Sequence, residues 1–323
     1  MTKNEFLHGD RPILSRDPQQ AAGILRAGGL VAFPTETVYG LGVDATHSAA
    51  VARLFAAKGR PSDNPLIVHL AEPAQLPLAA REVPTSARLL LERFAPGPLT
   101  VVVPKQPSIV AAVTAGLDTV GVRIPDNEIA RDMLRCAQLP IAAPSANQSG
   151  RPSTTTSASV LEEFEGRIDL VLEGQPSRIG LESTVVDCVA SPPRVLRPGA
   201  ITQEQLREVI PQIVVAGPSG NALENSPGRR HRHYQPQARV LLFNRPEEIS
   251  IDPRGAYVGL QPHPAGSQFA MHQTFGSPEA YAAAFYETLR RTDRLGLERI
   301  YCQMVSPTGI GAALMDRLSR AAE

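Results

Sequence analysis

Short β-branched segments alternate with amphipathic stretches and with turns rich in proline and glycine from Asp17 to about Pro211. This alternation is typical of an α/β fold, in which helices pack on a sheet. Most of the apolar segments lack a polar face, as expected for strands of a covered sheet. The predicted strands are 30–33, 66–70, 99–103, 120–124, 168–172, 184–188 and 194–196. Their irregular spacing argues against a repeated βα barrel.

Four helices are predicted between these strands from apolar periodicity and polar capping residues. They cover 49–58 with Ser48 as N-cap, 86–94, 128–137 after Asn127, and 203–210 after Thr202. Gly59 can adopt the left-handed conformation that ends the first of these helices. Lys58 and Arg60 are therefore expected in one turn, either as solvated cations at a helix end or as part of a site.

The length of 323 residues suggests two domains. Segment 216–236 is dense in glycine, proline, serine and asparagine and lacks apolar periodicity, which predicts a linker. The predicted organisation is a first domain at 1–215, a linker at 216–237 and a second domain at 238–323. Strands at 238–243, 256–260 and 299–304 and helices at 278–291 and 310–322 indicate that the second domain is also α/β.

Composition excludes several classes of protein. Apolar residues make up 42% and charged residues 20%, which is typical of globular chains and not of disordered or collagen-like ones. The 32 basic residues balance 32 acidic ones, which argues against nucleic-acid binding carried mainly by phosphate contacts. Cys136, Cys188 and Cys302 lie far apart, which disfavours disulfides and a thiolate metal site and favours small buried side chains. No long apolar stretch or signal-peptide core occurs, so we expect a cytoplasmic protein that does not bind membranes.

Gly40, Gly42 and Ala45 match the glycine pattern of dinucleotide-binding proteins. The preceding polar segment is too long for a tight turn, Asp44 would repel a phosphate, and the next helix starts only after Ser48. We therefore do not expect a dinucleotide site. The motifs of P-loop proteins, zinc peptidases and α/β-hydrolases do not occur.

Polar residues in otherwise apolar segments suggest a site. Arg123 and Arg197 lie in or directly after predicted strands, and each is followed by proline. A buried guanidinium needs a partner, so a bound anion is one interpretation. Together with Lys58 and Arg60 they would suit a polyphosphate or carboxylate substrate. His69 near the end of a buried strand has two interpretations, a core histidine or a ligand contact.

The turn that follows the strand ending at Pro144 is rich in hydroxyl and amide groups and contains Arg151. Such a turn could hold a phosphate with backbone N–H groups, hydroxyls and a guanidinium. The alternative is an ordinary loop rich in serine and asparagine.

Seven blocks in this order resemble the Sua5–YrdC–YciO family, in particular its long, two-domain Sua5 form. They are FPTETVYGLG, KGRPSDNPLIVHL, PGPLTVVV, TAGLDTVGVRIP, PIAAPSANQSGRPS, GLESTVVD and VLRPGAI, and they span about residues 15–210. The linker sequence SPGRRHRHYQP is similar to the block that joins the two domains in Sua5 proteins. The second domain matches more loosely.

The resemblance implies a twisted, mixed α/β sheet with a concave, positively charged cavity, followed by a small Rossmann-like α/β domain. It implies that L-threonine, bicarbonate and ATP form L-threonylcarbamoyl-AMP and pyrophosphate. Other enzymes then transfer the threonylcarbamoyl group to adenosine 37 of tRNAs that read ANN codons. Mg²⁺ is expected with the ATP phosphates, without a metal site of the protein or an organic cofactor. Direct binding of tRNA is expected to be weak or absent.

The resemblance also implies roles for individual residues. The ATP site would contain Lys58 and Arg60, both also catalytic, with Asn64, Thr119, Ser145, Asn147, Ser153, Arg197 and Tyr234. The threonine site would contain Thr37, His69, Arg123, Ala143 and Ser183, with Arg123 as the clamp for the carboxylate. Tyr234 would make the linker a lid over the nucleotide.

Three other interpretations remain to be compared with this one. A YrdC-like module could bind double-stranded RNA or tRNA without chemistry, although zero net charge and 5% aromatic residues argue against it. A carbamoyl-adenylate enzyme of hydrogenase maturation would need zinc-finger cysteines that this chain lacks. The short YrdC form is excluded by the linker and second domain. The basic cluster 229–233 would be solvated or bind pyrophosphate, and the second domain would be regulatory or structural.

Overall fold

The computed structural model describes residues 11–215 and 234–322. Most of the predicted linker, including the basic cluster 229–233, lies outside the described residues, and so does the first part of the chain up to residue 10. Within the described residues, no helix combines the length and the apolar character needed to cross a membrane.

Residues 13–215 form one large mixed sheet of eleven strands with the order β1-β8-β2-β3-β7-β4-β6-β5-β9-β10-β11. The strands are β1 Ile13–Ser15, β2 Val31–Phe33, β3 Gly40–Asp44, β4 Ile67–His69, β5 Leu99–Pro104, β6 Thr119–Arg123, β7 Ile141–Ala143, β8 Leu170–Leu172, β9 Thr184–Asp187, β10 Arg194–Arg197 and β11 Val214–Val215. All seven predicted strands of this domain are confirmed. Parallel and antiparallel pairs both occur, as in β4 with β6 and β4 with β7.

The helices of this domain are α1 Pro18–Arg26, α2 Ser48–Lys58, α3 Thr85–Phe94, α4 Glu128–Ala137, α5 Ser157–Phe164 and α6 Gln203–Val209. Short 3₁₀ helices cover Pro73–Leu78 and Ala111–Thr114. The four predicted helices are confirmed, and the structure adds α1 and α5. Ser48 is wrong as the N-cap of α2, because His47 has the extended cap conformation and its ring nitrogen accepts from the Ala50 amide.

Gly40 and Gly42 of the glycine pattern lie inside strand β3. A dinucleotide site would need these glycines in the turn between a strand and a helix. Strand β3 pairs with β2 through Phe33. A Cβ atom would meet the Phe33 ring at 3.0 Å from Gly40 and at 2.9 Å from Gly42. These glycines therefore make room for an aromatic ring in the sheet, which explains a strand with low β propensity.

The two faces of the large sheet have different coverings. Successive side chains of a strand point to opposite faces. Val68, Val101 and Val122 belong to the main core, which also contains side chains of α2, α3, α5 and α6. On the other face, α1 and α4 form a second core over β2, β7 and β8. That second core does not contain His69 or Arg123, which lie in register on the neighbouring strands.

The second domain has four parallel strands in the order β12-β15-β13-β14, which confirms the Rossmann-like prediction. Its elements are β12 Arg239–Phe243, β13 Gly255–Gly259, β14 Met271–Thr274, α7 Pro278–Arg294, β15 Arg299–Gln303 and α8 Ile310–Ala321, with 3₁₀ turns at Pro246–Glu248 and Gly266–Gln268. Strand β14 is the element that sequence reasoning did not find. The boundaries of domain and linker at 215 and 238 stay predictions.

The second domain packs directly on the first. Val38, Leu181 and Tyr234 join its core cluster, beside Tyr281 and Phe285 of α7. Gly180 has φ +75°, and a Cβ atom there would lie 2.4 Å from the Ala283 carbonyl oxygen. The first domain therefore needs glycine where α7 approaches its backbone.

Cys136, Cys188 and Cys302 are free thiols. Cys188 and Cys302 are buried, as expected for small core residues, and burial raises the pKa of each to about 12. Cys136 is half-buried and packs beside the second core. High thiol pKa values leave Cys188 and Cys302 with little nucleophilic thiolate.

Candidate functional site

A pocket opens where the covering of the second face ends. Its floor includes Ile67 and His69 of β4 and Ala143 of β7, and its walls are the loop after β2, the end of α2, the turn after β7 and Tyr234. Ile67 pairs with Ala143, and His69 pairs with Arg123. Paired residues of neighbouring strands share a face, so sheet register brings these side chains together.

The structure gathers ten of the fourteen predicted site residues around this pocket. They are Lys58, Arg60, His69, Arg123, Ala143, Ser145, Asn147, Ser183, Arg197 and Tyr234. These residues come from sequence positions as far apart as 58 and 234. Their convergence supports a single site, while the role of each residue stays a prediction.

Four predicted residues do not line this pocket. Thr119 lines a smaller neighbouring cavity that shares Pro65 and Leu66 with the main pocket. Asn64 is buried below the wall and accepts a hydrogen bond from Arg60 through its backbone oxygen. Thr37 is buried in the loop after β2, where its hydroxyl pairs with that of Thr35 at 2.8 Å.

Ser153, the fourth of them, is also buried and donates to Glu182 at 2.7 Å. Thr35 and Glu182 do line the pocket. Thr37 lies behind Thr35, and Ser153 lies behind Glu182. Thr37 and Ser153 therefore contact lining residues without lining the pocket themselves.

Lys58 is the last residue of α2, and Gly59 ends the helix in the left-handed conformation, as predicted. The Lys58 side chain is buried, and its Nζ donates to the backbone oxygens of Ser145, at 2.6 Å, and Asn147. Burial and the nearby Arg60 hold the Lys58 pKa well below its ordinary value. Lys58 therefore ties the turn after β7 to the end of α2 and places an ammonium group in the pocket.

Arg60 also lines the pocket. Its Nε and Nη2 donate to the backbone oxygens of Asn64 and Pro65, at 3.3 and 3.1 Å. Burial lowers the Arg60 pKa to about 10, and the like charge of Arg197 acts in the same direction. Lys58, Arg60 and Arg197 are thus a set of like charges that an anionic ligand would stabilise.

Arg123 already has a protein partner, which corrects one step of the sequence argument. Its Nη2 lies 2.8 Å from Oε1 of Glu36, and both side chains are buried. The second Glu36 oxygen accepts from the Asp126 amide at 3.1 Å. A bound anion is therefore not required to explain this buried guanidinium. Nε donates weakly to the Gly97 oxygen at 3.4 Å, and Nη2 also lies 3.5 Å from the Thr35 hydroxyl.

His69 is neutral in this environment. Burial lowers its pKa to about 3, and the adjacent positive charge of Arg123 adds to the shift. Its Nδ1 lies 3.1 Å from the Ile67 backbone oxygen. A neutral imidazole at the pocket floor can accept or donate a hydrogen bond without adding charge, so both original interpretations, core residue and ligand contact, apply to it.

Arg197 and Ser183 form a polar pair among the residues that line the pocket. Arg197 donates from Nε to the Ser183 backbone oxygen at 3.1 Å and from Nη2 to its hydroxyl at 3.2 Å. The Ser183 hydroxyl also pairs with Thr100 of β5 at 2.7 Å. Gly199 allows this close packing, because a Cβ atom there would lie 2.3 Å from the Thr184 nitrogen.

The turn after β7 is held by its own hydrogen bonds. The Ser145 hydroxyl donates to the Asn147 side-chain oxygen at 2.5 Å, and the Asn147 amide group donates to the Arg151 oxygen at 2.9 Å. Arg151 itself lies 3.4 Å from Glu163 and does not line the pocket. The predicted contribution of its guanidinium to a phosphate cradle is therefore wrong for this structure.

Tyr234 lies in the predicted linker, is the first residue described after the gap at 216–233, and lines the pocket. It is buried and has φ +69°, a conformation that is uncommon outside glycine. Its ring lies 5.3 Å from that of Tyr286 on α7. The next residue, Gln235, donates its backbone N–H to the Gly150 oxygen at 2.9 Å. The second domain and the turn after β7 thus hold Tyr234 over the site.

Glu182 is the carboxylate that sequence reasoning missed. It accepts hydrogen bonds from Ser153 at 2.7 Å, from Tyr286 at 2.9 and 3.0 Å and from Arg317 at 2.9 Å. Burial opposes its ionisation, but the positive charges of Arg317 and Arg197 prevail and lower the Glu182 pKa to about 2. The available signal was its position beside Ser183 in the GLEST block. Two of its three partners, Tyr286 and Arg317, come from the second domain.

The depressed pKa of Glu182 predicts a loss of stability in acid. The folded pKa lies below that of the unfolded chain, so its stabilising contribution is complete above about pH 4.5 and is lost as the pH falls toward 2. The loss is on the order of 3 kcal/mol. Urea unfolding between pH 6 and 2 measures it. Glu182→Gln should flatten this dependence, and an unchanged slope in that variant would contradict the assignment.

Among the described residues, no group of three or more histidine, cysteine, aspartate or glutamate side chains is placed to hold a metal ion. The oxygens of Glu182, the carboxylate among the pocket-lining residues described, are taken by protein donors. The pocket supplies cations and hydroxyls, which suit phosphate and carboxylate ligands better than a bare metal.

Comparison with known families gives two matches that together span most of the chain. A family model described as "Telomere recombination" (Sua5_yciO_yrdC) matches residues 23–199. A second, described as "Threonylcarbamoyl-AMP synthase, C-terminal domain" (Sua5_C), matches residues 201–323.

Individual proteins resemble the chain over its full length. A protein of Pyrococcus abyssi named threonylcarbamoyl-AMP synthase is 43% identical over 93% of this chain and 92% of its own. One of Bacillus subtilis with the same name is 41% identical over 99% of this chain and 98% of its own. The crystal structure of Pyrococcus abyssi Sua5 complexed with L-threonine superimposes with a TM-score of 0.88, at 39% identity and 97% coverage of both chains.

Proposed function

The chain belongs to the Sua5–YciO–YrdC family, and from this membership we propose that it is a threonylcarbamoyl-AMP synthase with L-threonine and ATP as substrates. The observation that carries this function is similarity to a relative of that name, at 43% identity over 93% of this chain. The chain also matches the family model of the synthase C-terminal domain. A pocket lined by Lys58, Arg60, Arg123 and Arg197 supports two anionic substrates.

The finer reaction is part of the proposal. The threonine amine and bicarbonate give an N-carboxylate with loss of water. One carboxylate oxygen attacks the α-phosphorus of ATP, and the bond to the bridging oxygen breaks as pyrophosphate leaves with its electron pair. Both reactants are anions, so the protein's main contribution is to position them and to neutralise charge. No covalent intermediate with the protein is needed.

We assign the nucleotide to the side of the pocket that contains Lys58, Arg60 and Arg197. These three cations converge on one cavity, and the leaving pyrophosphate gains charge during the reaction. Ser145 and Asn147 contribute polar groups beside Lys58. Tyr234 covers this side, which would protect a water-sensitive acyl-adenylate. Mg²⁺ would arrive with the ATP phosphates.

We assign threonine to the side that contains His69 and Arg123. The guanidinium of Arg123 suits the substrate carboxylate, and the neutral imidazole of His69 suits a hydroxyl or amine. Ala143 and Ser183 border the same space. Thr35, which lines the pocket, is a better candidate for a direct contact than Thr37, which lies behind it.

The place of this reaction in tRNA modification belongs to the proposal as well. The product would supply the threonylcarbamoyl group for adenosine 37 through separate transfer enzymes. A cytoplasmic location and weak or absent direct binding of tRNA stay predictions.

The proposed function predicts threonine-dependent release of pyrophosphate. Purified protein with Mg²⁺, ATP and bicarbonate should release pyrophosphate only when L-threonine is present, and mass spectrometry should identify threonylcarbamoyl-AMP. A folded protein without threonine dependence would contradict the proposal. Salt-sensitive binding of double-stranded RNA or tRNA by that same protein would then favour the binding-module alternative.

A further inference from the structure

The wall of the pocket next to the second domain contains a carboxylate, which is an unfavourable neighbour for ATP. Glu182 lines the pocket directly before Ser183, whose hydroxyl accepts from Arg197. The positive charge of Arg197 acts on Glu182 and is one cause of its low pKa. Without another counter-charge, Glu182 would oppose the phosphates and compete with them for Arg197.

That counter-charge comes from the second domain. Arg317 of α8 is fully buried and donates from Nε to Glu182 Oε2 at 2.9 Å. Its Nη2 donates to the backbone oxygen of Pro198, the residue after Arg197, at 3.2 Å. Its guanidinium carbon lies 5.7 Å from the centre of the Tyr234 ring. Arg317 therefore contacts the carboxylate wall, the Arg197 segment and the residue that covers the site.

Arg317 does not line the pocket, so any effect on ATP passes through these contacts. We propose that Arg317 is a positioning residue for the nucleotide: it neutralises Glu182 and supports Tyr234, so that helix α8 of the second domain sets the charge that ATP meets. This inference rests on the proposed synthase function for the identity of the nucleotide. It gives the second domain a defined part in the site.

Two other arginines at the domain interface differ from Arg317 in their position relative to the pocket. Arg294 of α7 also crosses the domain interface, with Nη1 3.3 Å from Glu162, but it is about half exposed and does not line the pocket. Arg290 pairs with Glu163 at 2.9 Å, which likewise lies outside the pocket lining. Of these three arginines, Arg317 is the one that pairs with a carboxylate of the pocket lining, Glu182.

The test is a charge cycle read by ligand binding. Isothermal calorimetry with Mg·ATP and with AMP is applied to wild type, Arg317→Met and the double variant Glu182→Gln/Arg317→Met. In Arg317→Met the uncovered carboxylate should raise the Kd of ATP at least tenfold and that of AMP no more than about threefold, because AMP has less charge. In the double variant the Kd of ATP should return to within about threefold of wild type.

Two further variants keep the result interpretable. Arg294→Met loosens an interface ion pair away from the pocket and should leave both Kd values unchanged. Arg317→Lys keeps the charge and should retain ATP binding within about threefold; with the double variant it provides the test if Arg317→Met does not fold.

Two results would overturn the inference and leave Arg317 with a packing role. One is an equal rise in the Kd of ATP and of AMP in Arg317→Met. The other is a folded double variant that still binds ATP tenfold more weakly than wild type. Failure of the synthase proposal is distinguishable, because wild-type protein would then show no threonine-dependent pyrophosphate release whatever the variants bind.

Discussion

Lys58→Met is expected to lower the rate of threonylcarbamoyl-AMP formation by about 10²- to 10³-fold, the range found when a charge-stabilising donor is removed. The Lys58 ammonium group lies in the pocket and also holds the Ser145 and Asn147 backbone oxygens. Its loss removes charge from the leaving pyrophosphate and loosens the turn that borders it. Steady-state pyrophosphate release under saturating threonine measures the change.

The matched control is Lys105→Met. The chain has three lysines, and Lys105 lies outside the pocket, where its Nζ donates to the Ile109 oxygen at 3.3 Å. Its replacement should leave the rate within about twofold of wild type. A Lys58→Met enzyme that keeps more than a third of the wild-type rate would remove Lys58 from the catalytic groups.

The low pKa of Lys58 gives this role a pH signature. Burial and Arg60 favour the neutral amine, so Lys58 loses its proton at a lower pH than an ordinary lysine does. The kcat/KM for ATP, which reports the free enzyme, should therefore fall as the pH rises through that pKa. Lys58→Arg stays charged and should lack this alkaline decline, although its absolute rate is reduced.

The sequence alone predicts the elements that have a simple local signal, such as an apolar run or a helix-ending glycine. The strands of the large sheet are apolar runs, and the end of α2 follows from Gly59. Two of the strands that were missed lack such a signal: Ile13 and Leu14 of β1 are exposed at a sheet edge, and β3 contains glycines that accommodate the Phe33 ring. Strand β1 forms because it pairs with β8, which is far away in sequence, and β3 forms because its glycines fit against the Phe33 ring of the adjacent β2.

The same distinction holds within the site. Lys58, Arg60, Arg123 and Arg197 stand out because a cation in an apolar or turn segment is unusual. The carboxylates Glu36 and Glu182 carry no local signal, since their meaning comes from Arg123 and Arg317 across the fold. The sequence therefore predicts which cations lie in unusual positions more readily than it predicts the carboxylates that pair with them. For this reason the buried Arg123 was interpreted through a bound anion, whereas its partner in the fold is Glu36.

Arg123→Met is expected to have the second large effect, on both stability and threonine binding. Glu36 would remain buried without its partner, and breaking a buried ion pair in this way lowers the free energy of unfolding by about 3–5 kcal/mol. The substrate carboxylate would also lose its guanidinium, which we expect to raise the KM for threonine at least a hundredfold. Urea unfolding and threonine-dependent pyrophosphate release measure the two effects separately.

The double variant Glu36→Gln/Arg123→Met separates the two roles. Neutralising the buried carboxylate should restore most of the lost stability, but threonine binding should stay weak, because the guanidinium of Arg123 is the group assigned to the substrate carboxylate. The outcome is opposite to that expected for Glu182 and Arg317, where neutralising the carboxylate restores ATP binding. Recovery of threonine affinity in the Glu36→Gln/Arg123→Met protein would show that Arg123 acts only as the partner of Glu36, and the carboxylate clamp would have to be sought elsewhere in the pocket.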